Sequence, residues 1–198
     1  MASRPHYHHG DLRAALLDAA LELVARDGAA AVTLRGVARA AGVSAMAPYH
    51  HFADRAALIA AVAVIGYDRL FDQKLGALAT APGDARSALV AGSRAYVAFI
   101  LDNPELYRLM KGPEVADRAA DPALAAAAAR PGTKLAELIA ALGPLTVPTG
   151  TASEMLWAFV HGLGLLGIDG YLRASDAVLA TAEAGAAALL DGLRRAPA

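Results

Sequence analysis

The chain has 198 residues, 57% of them hydrophobic, and it contains no cysteine. Its net charge of −1 shows no general excess of cations, so any nucleic-acid site must be a local one. The lack of cysteine excludes disulfides, thiolate nucleophiles and cysteine-based zinc sites, and it fits a cytoplasmic location. Alanine supplies much of the hydrophobic excess and favours helices, so we predict an all-α fold.

Residues 1–10 are polar and rich in histidine, with no apolar run of the kind that a secretory signal needs. We predict that they form a flexible N-terminal arm. The alternative is a metal site made by His6, His8 and His9. Because no carboxylate or further histidine follows at ligand spacing, we predict no metal site.

Apolar residues recur at spacings of one, three and four from Leu12 to Val24, which is the pattern of one buried helix face. Asp27-Gly28 ends this helix, because glycine readily adopts the left-handed geometry found at helix C-termini. Thr33 then has the position of an N-cap for a second, short helix.

The segment from Thr33 to Ser44 has the pattern of a helix-turn-helix. Gly42 lies at the turn, Val43 is an apolar residue directed to the core, and Ser44 starts a second helix of about two turns that ends near Phe52. In such a motif the second helix enters the major groove of DNA. Residues 11–61 are therefore predicted to form a three-helix, homeodomain-like head.

A long helix, capped by Asp54, is predicted from Arg55 to about Leu78, where Ala81-Pro82-Gly83 breaks the pattern. Residues 62–198 are predicted as a C-terminal helical domain. Its further helices are expected at about 84–101, 104–111, 121–130, 133–142, 152–172 and 175–194. The most apolar stretch, 155–168, is shorter than a bilayer span and carries a histidine, so we predict no membrane span.

One stretch of the head closely resembles a known family. The run Gly42-Val-Ser-Ala-Met-Ala-Pro-Tyr-His-His-Phe-Ala-Asp-Arg-Ala-Ala-Leu58 is similar to the recognition helix and following junction of TetR-family transcriptional regulators. Tyr7-His-His-Gly-Asp-Leu-Arg13 and Trp157-Ala-Phe-Val-His-Gly162 resemble a subset of the family whose C-terminal domain is marked by that Trp and His-Gly. The resemblance implies a bacterial, cytoplasmic DNA-binding regulator whose C-terminal domain binds a ligand and dimerises.

The resemblance also implies which residues of the head contact DNA. Phosphate contacts are implied for Thr33, Tyr49, His50 and Arg55. Contacts to base edges are implied for Arg35, Ala45, Met46 and Ala47, with Ser44 at the start of the recognition helix.

The chemistry of these side chains agrees in part with those roles. Tyr49 offers a hydroxyl on a stiff ring, and Arg35 could donate two hydrogen bonds to a guanine. The side chains of residues 45–47 cannot donate, which leaves apolar contacts with thymine methyls and gives Arg35 and DNA shape a larger share of specificity. Pro48 departs from the family pattern. Because proline is tolerated only in a first helical turn, the recognition helix begins later than Ser44 or with a distorted turn.

Aromatic residues, methionines and one histidine of the C-terminal domain could line a small-molecule cavity, although ordinary core packing explains most of them equally well. His161 stands out because a buried imidazole needs a hydrogen-bond partner. The candidates are Phe71, Tyr96, Phe99, Tyr107, Met110, Met155, Phe159 and His161.

The last two predicted helices combine small residues, which permit close helix approach, with leucines. Two such helices from each of two subunits could form a four-helix interface. The alternative is that they complete the core of a single chain. The interface candidates are Trp157, Leu163, Gly164, Gly167, Leu189 and Leu193.

The family resemblance, together with these patterns, implies a ligand-responsive repressor that binds a palindromic operator as a homodimer and is released by a small molecule. The alternative is a DNA-binding regulator without an effector, whose C-terminal domain only dimerises or binds a protein. No carboxylate pair, Ser-His-Asp grouping or phosphate loop has usable spacing, so we predict no catalytic residues, no cofactor and no enzyme activity.

Overall fold

Helices joined by short turns make up the part of the chain that the computed structural model describes, which is residues 12–76, 83–115, 117–172 and 175–194. These ranges contain no β-strand, so the predicted all-α fold is confirmed. The arm at 1–10 and most of the breaker at 81–83 lie outside the described residues. The α-helices are α1 (Leu12–Asp27), α2 (Leu34–Ala40), α3 (Arg55–Asp68), α4 (Ala85–Asp102), α5 (Pro104–Lys111), α6 (Pro122–Ala140), α7 (Thr149–Ile168) and α8 (Ser175–Leu193).

The residue contacts divide the chain into two compact units. The first contains the described residues up to Ala63 together with Glu105–Asp121, and the second contains Val64–Pro104 and the described residues from Pro122 onward. The sequence-based division lies between 61 and 62 and assigns all later residues to one domain. The contacts differ from that division by placing Glu105–Asp121 with the first unit.

The first unit has its core on one face of α1. Leu16, Ala20 and Val24 follow each other at four-residue spacing and have no exposed surface, as does Val37 of α2. Burying a leucine of this kind contributes about 1.5–3 kcal/mol. On the same helix the Arg13 guanidinium lies 5.5 Å from the centre of the buried Phe52 ring.

The second unit contains two helices that each bury a four-residue stripe. Ala152, Leu156, Val160 and Gly164 form the buried stripe of α7, and Val178, Ala182, Ala186 and Leu190 form that of α8. At the surface, Arg86 of α4 donates two hydrogen bonds of 2.7 Å to Asp191 of α8. These bonds lower the pKa of the Asp191 carboxyl.

The helix α6 runs through Pro131 without interruption, whereas the sequence predicted a helix at 133–142 separated there from a helix-prone piece at 121–130. That prediction was wrong because tertiary contacts on both sides of the proline outweigh its missing N–H. Leu124 and Ile139 are buried at either end of the helix. Arg130, just before the proline, bonds Asp68 (2.7 Å) and Asp72 (2.6 Å) beyond its own helix.

A π-helical segment, Arg69–Gly76, continues α3. Asp68 and Asp72, which bind Arg130, lie at the end of α3 and in this segment. The Arg130 guanidinium also lies 4.1 Å from the centre of the Phe71 ring. Arg130 therefore connects α6 to the continuation of α3 by charge and by a cation–π contact.

The helix α7 is long and apolar enough to cross a membrane by length and composition alone, with a mean hydropathy of 1.2 over its most apolar window. Only 22% of that window is buried within the chain. Met155, Trp157 and Leu166 contribute to the exposed part, being 40%, 42% and 46% exposed. These exposed apolar side chains make α7 a candidate contact surface.

Gly42 has a φ of +69°, and a Cβ placed there would meet no atom within 4 Å. We therefore expect Gly42→Ala to lower the free energy of unfolding by about 1–2 kcal/mol through backbone conformation alone. Gly42→Asn should cost less, because asparagine enters the left-handed region more readily. Urea unfolding followed by circular dichroism, at one fixed protein concentration, measures the free energy of unfolding of both variants. Equal losses for the two variants would contradict this account.

Candidate DNA-binding head

The turn before α2 is held by the side chain of Thr33. Its Oγ1 accepts a hydrogen bond of 3.0 Å from the backbone N–H of Gly36, which confirms the predicted N-cap. A Cβ on Gly36 would lie 2.9 Å from the same Oγ1. The glycine at that position therefore leaves room for the cap.

The helix-turn-helix turn follows α2 as predicted. Gly42 provides the positive φ, and the N–H of Val43 donates to the carbonyl of Ala38 at 2.9 Å. Val43 itself is half-buried, so it closes the turn but is not part of the fully buried core.

The recognition segment is a short 3₁₀ helix at Ala47–His50 and not the two-turn α-helix expected to end near Phe52. Proline is the physical reason. Pro48 has no N–H that could donate to the Ser44 carbonyl, as the helical i to i−4 pattern requires. That carbonyl instead accepts a hydrogen bond of 3.0 Å from the N–H of Ala47. The late or distorted start that Pro48 predicts is thus confirmed. Pro48 is buried and holds the segment against the head.

Most of the residues for which DNA contacts are predicted reach the surface. Met46 is 65% exposed and Tyr49 is 45% exposed, whereas Ala47 and Arg55 are half-buried. The exposed members of the set are Thr33, Arg35, Ser44, Ala45, Met46, Tyr49 and His50.

The structure brings four of them together around a shallow, open depression of about 460 Å³. Two segments far apart in sequence form its wall, the start of α2 and the stretch from the recognition segment into α3. The lining residues are Thr33, Leu34, Arg35, Tyr49, Ala53, Asp54 and Arg55. The depression therefore combines hydroxyl groups with two guanidinium groups, which are donors suited to phosphate oxygens.

Asp54, the acidic residue of the lining, is engaged in a helix cap. Its Oδ1 accepts a hydrogen bond of 2.8 Å from the N–H of Ala57 at the start of α3, as the sequence predicted.

Arg55 has a structural role that the sequence analysis did not find. Its Nε donates to the carbonyl of Val32 and its Nη2 to the carbonyl of Ala29, both at 2.7 Å. These carbonyls lie 23 and 26 residues earlier in the chain, so no local pattern could show the contact. Arg55 thereby fixes the start of α3 against the turn that carries Thr33.

The candidate pocket residues do not all fall in one unit. Tyr107 and Met110 are fully buried in the first unit, while the other six belong to the second. Of those six, Tyr96 and Phe99 are buried and Met155 is exposed.

Polar aromatic groups meet in the second unit around Trp157. Its Nε1 donates to the Tyr96 hydroxyl oxygen at 3.1 Å, and its ring stacks on His161 with centroids 5.2 Å apart. Phe159 on the same helix contacts the position of Gly185, where any Cβ would collide with its ring. Phe71 lies beneath the Arg130 guanidinium.

Two of the predicted interface residues are buried inside their own chain. Gly164 packs against Ile100 of α4 and is buried, and Leu193 is 5% exposed. Both therefore pack within the second unit, which leaves them little surface for a contact between subunits. Gly167 likewise lies close to Leu101 and is half-buried.

The other interface candidates retain accessible surface. Trp157 is exposed, and Leu163 and Leu189 are half-buried. Among the residues that the structure describes, no group of three or more histidine, aspartate or glutamate side chains is arranged to hold a metal ion. The His6, His8 and His9 cluster lies outside those residues.

The helix-turn-helix head followed by a separate helical unit defines a class of bacterial regulators, and comparison with known proteins gives the same result. A family model described as bacterial regulatory proteins, tetR family, matches residues 16–62. A second model, described as the tetracyclin repressor-like C-terminal domain, matches residues 89–189. The chain belongs to the TetR family.

Individual relatives cover different shares of the chain. The uncharacterized HTH-type transcriptional regulator YobS of Bacillus subtilis is 33% identical over 92 residues, which are 46% of this chain and 47% of YobS. The HTH-type transcriptional regulator AlkX of Mycobacterium tuberculosis is 34% identical over 101 residues, 51% of this chain and 48% of AlkX. The chain thus spans about half the length of these two curated relatives.

A solved structure matches over nearly the whole length. It is a protein with unknown function from Rhodococcus sp. RHA1, with a TM-score of 0.82 and 32% identity, and the match covers 97% of this chain and 100% of that one.

Proposed function

We propose that this chain is a DNA-binding transcriptional regulator, acting as a homodimeric repressor that a small molecule releases from a near-palindromic operator. The observation that carries the proposal is the depression in the head, where Thr33, Arg35, Tyr49 and Arg55 converge from two separate segments. Hydroxyl and guanidinium donors on one open surface suit a DNA backbone, and Arg35 has the fork geometry for a guanine.

The rigid supports of these groups favour recognition over incidental exposure. The Thr33 cap fixes the start of α2, and Arg55 fixes the start of α3 against the carbonyls of Ala29 and Val32. Binding groups held by such contacts lose little conformational entropy when a ligand arrives. Arg55 has two functions in this proposal: it orients the wall of the depression and adds positive charge to it.

We assign the residues from 62 onward mainly to dimerisation and effector binding. Exposed apolar side chains of α7 lie on two sides of the helix, Met155 and Leu166 on one and Trp157 on the other. The outward face of α8 carries alanines such as Ala180, Ala184 and Ala188. Small residues let helices approach closely, and the larger side chains of α7 supply apolar area. Two copies of this surface related by a two-fold axis would form a four-helix interface.

We place the effector site in the second unit, near the group formed by Tyr96, Trp157 and His161. A phenol hydroxyl and an imidazole among apolar helices can orient a small ligand that is otherwise apolar. Binding there would favour one conformer of the domain and operator binding another, so that each ligand weakens the other. No membrane enters this proposal, since a second copy would cover exposed apolar side chains of α7.

The head is tested by two substitutions with a matched control. Tyr49→Phe should weaken binding to all duplexes alike by about tenfold, since it removes one hydrogen bond to a charged group. Arg35→Ala should reduce the difference in binding free energy between operator and random duplex by about 1–3 kcal/mol. Arg26→Ala, which removes the same charge from the exposed end of α1, serves as the control. Fluorescence anisotropy measures all three, and identical behaviour of Arg35→Ala and the control would refute the base contact.

Dimerisation is tested at an exposed alanine of α8. Ala184→Glu should place two carboxylates in an apolar interface and convert the protein to monomers at micromolar concentration. Ala126→Glu, at an exposed alanine of α6, is the control and should leave the dimer intact. Analytical ultracentrifugation gives the oligomeric state, and emission from Trp157, the only tryptophan of the chain, reports its exposure. A dimer that survives Ala184→Glu would place the interface elsewhere.

The effector is tested with a panel of apolar small molecules that carry one polar group, such as medium-chain fatty acids and phenols. We expect at least one compound to raise the melting temperature and to lower operator affinity by about 5–150-fold, the range of typical coupling energies. Trp157→Phe, which removes the bond to Tyr96, should change compound affinity more than operator affinity in the compound's absence. Compounds that bind without affecting operator affinity would favour a C-terminal domain that only dimerises.

A further inference from the structure

Met46 exposes an apolar side chain at the surface of the head. It is 65% exposed, and the neighbouring Ala45 is also exposed while Ala47 is half-buried. An exposed cluster of this kind does not contribute to the core of its own chain. It has the properties of a contact surface whose partner supplies the missing apolar contact.

The backbone holds this apolar surface in a defined position. The N–H of Ala47 donates to the Ser44 carbonyl at 3.0 Å, and the N–H of Tyr49 donates to the Met46 carbonyl at 3.2 Å. Pro48, which directly follows Ala47 in the chain, is buried. Met46 therefore projects from a turn fixed on both sides and not from a free loop.

Charge around the segment indicates what kind of partner it meets. Arg35 and Arg39 on α2 and His50 on the recognition segment are exposed. With the donors of the adjacent depression, they favour a polyanion over an apolar protein surface. Duplex DNA is therefore the occupant to which the observations point.

The chemistry of residues 45–47 restricts what can be read on that duplex. Two methyl side chains and a thioether offer no hydrogen-bond donor and only a weak acceptor. In the major groove, the C5-methyl of thymine is the one apolar group that a base pair displays. The same position carries a methyl group in 5-methylcytosine.

We propose that the operator of this protein is read through pyrimidine C5-methyl groups, with Met46 as the specificity-determining residue. This inference rests on the proposed function, and it adds the chemical identity of the base group that the recognition segment selects. Arg35 then reads a guanine nearby by hydrogen bonds, so each half-site combines a methyl contact with a guanine contact.

The experiment uses the full chain and duplexes selected by it from a random pool. Each thymine of the best duplex is replaced in turn by deoxyuridine, which removes the methyl group alone. We expect one or two positions in each half-site to lose about fourfold in affinity, the effect of one buried methyl-sized group. In a second series, a cytosine placed at those positions should bind more tightly when it is methylated at C5.

Variants of Met46 assign the effect to its side chain. Met46→Ala should remove most of the difference between thymine and deoxyuridine, and Met46→Leu should preserve it. Met46→Gln keeps the length but replaces the thioether with an amide, and should also abolish the difference. Arg39→Ala is the control, and it should lower affinity for both duplexes while leaving their ratio unchanged. The exposure of Met46 makes loss of folding an inadequate explanation, which thermal unfolding of each variant verifies.

The outcomes separate the two levels of the proposal. If selection enriches no duplex, the proposed function itself is wrong. If a duplex is enriched but every deoxyuridine replacement leaves affinity unchanged, or the half-sites contain no thymine, DNA binding stands and methyl readout is overturned. A methyl effect that persists in Met46→Ala would assign the contact to another residue and would also overturn the inference.

Discussion

The geometry of the head depends on one cation. Arg55 donates to the carbonyls of Ala29 and Val32, and these bonds join the first turn of α3 to the connection between α1 and α2. A guanidinium suits this position because its planar fork can satisfy two separate carbonyls at once and stays charged. The buried side chains of Val32 and Pro48 anchor the segments that carry Thr33 and Tyr49, and the Arg55 bonds add a fixed link from one of these segments to α3. The shape of the depression is therefore a tertiary property, and its most important contact is made by a residue that also lines it.

Features of the head that depend on neighbouring residues could be predicted from the sequence. The Thr33 cap, the Asp54 cap and the turn at Gly42 each arise from a residue whose intrinsic chemistry admits few alternatives. Features that depend on distant partners could not. In the sequence, Pro131 predicts a helix break, but burial on both sides and the contacts of Arg130 keep α6 continuous. Gly164 suits a contact between subunits or within one, and its packing against Ile100 depends on a residue 64 positions earlier that no local pattern indicates.

The two faces of α7 show how one helix can serve two surfaces. Its four-residue stripe of small and branched side chains fits against the same chain, while Met155, Trp157 and Leu166 remain accessible on other sides. Trp157 belongs to both surfaces, since its indole N–H donates to Tyr96 of the same chain while part of its ring is exposed. In the proposed dimer, a ligand that disturbs this bond would also disturb a residue at the interface. Effector binding and subunit geometry would then share a side chain, which requires no long path between them.

The brevity of the recognition segment limits how much of a genome one copy of this protein could distinguish. The four residues of 3₁₀ helix, at about 2 Å each, extend over roughly 8 Å, or about two base-pair steps. Even with Met46 and Arg35 beside it, one head would therefore contact only a few base pairs. Each mismatched base pair costs about 1–3 kcal/mol of binding free energy, so contacts to a few base pairs could not distinguish one site from the roughly 10⁶–10⁹ competing sites of a chromosome. Two heads held at a fixed distance would increase the selectivity for one DNA sequence without a longer recognition segment. The base pairs between the two contacted stretches would then be constrained only through the shape of the duplex.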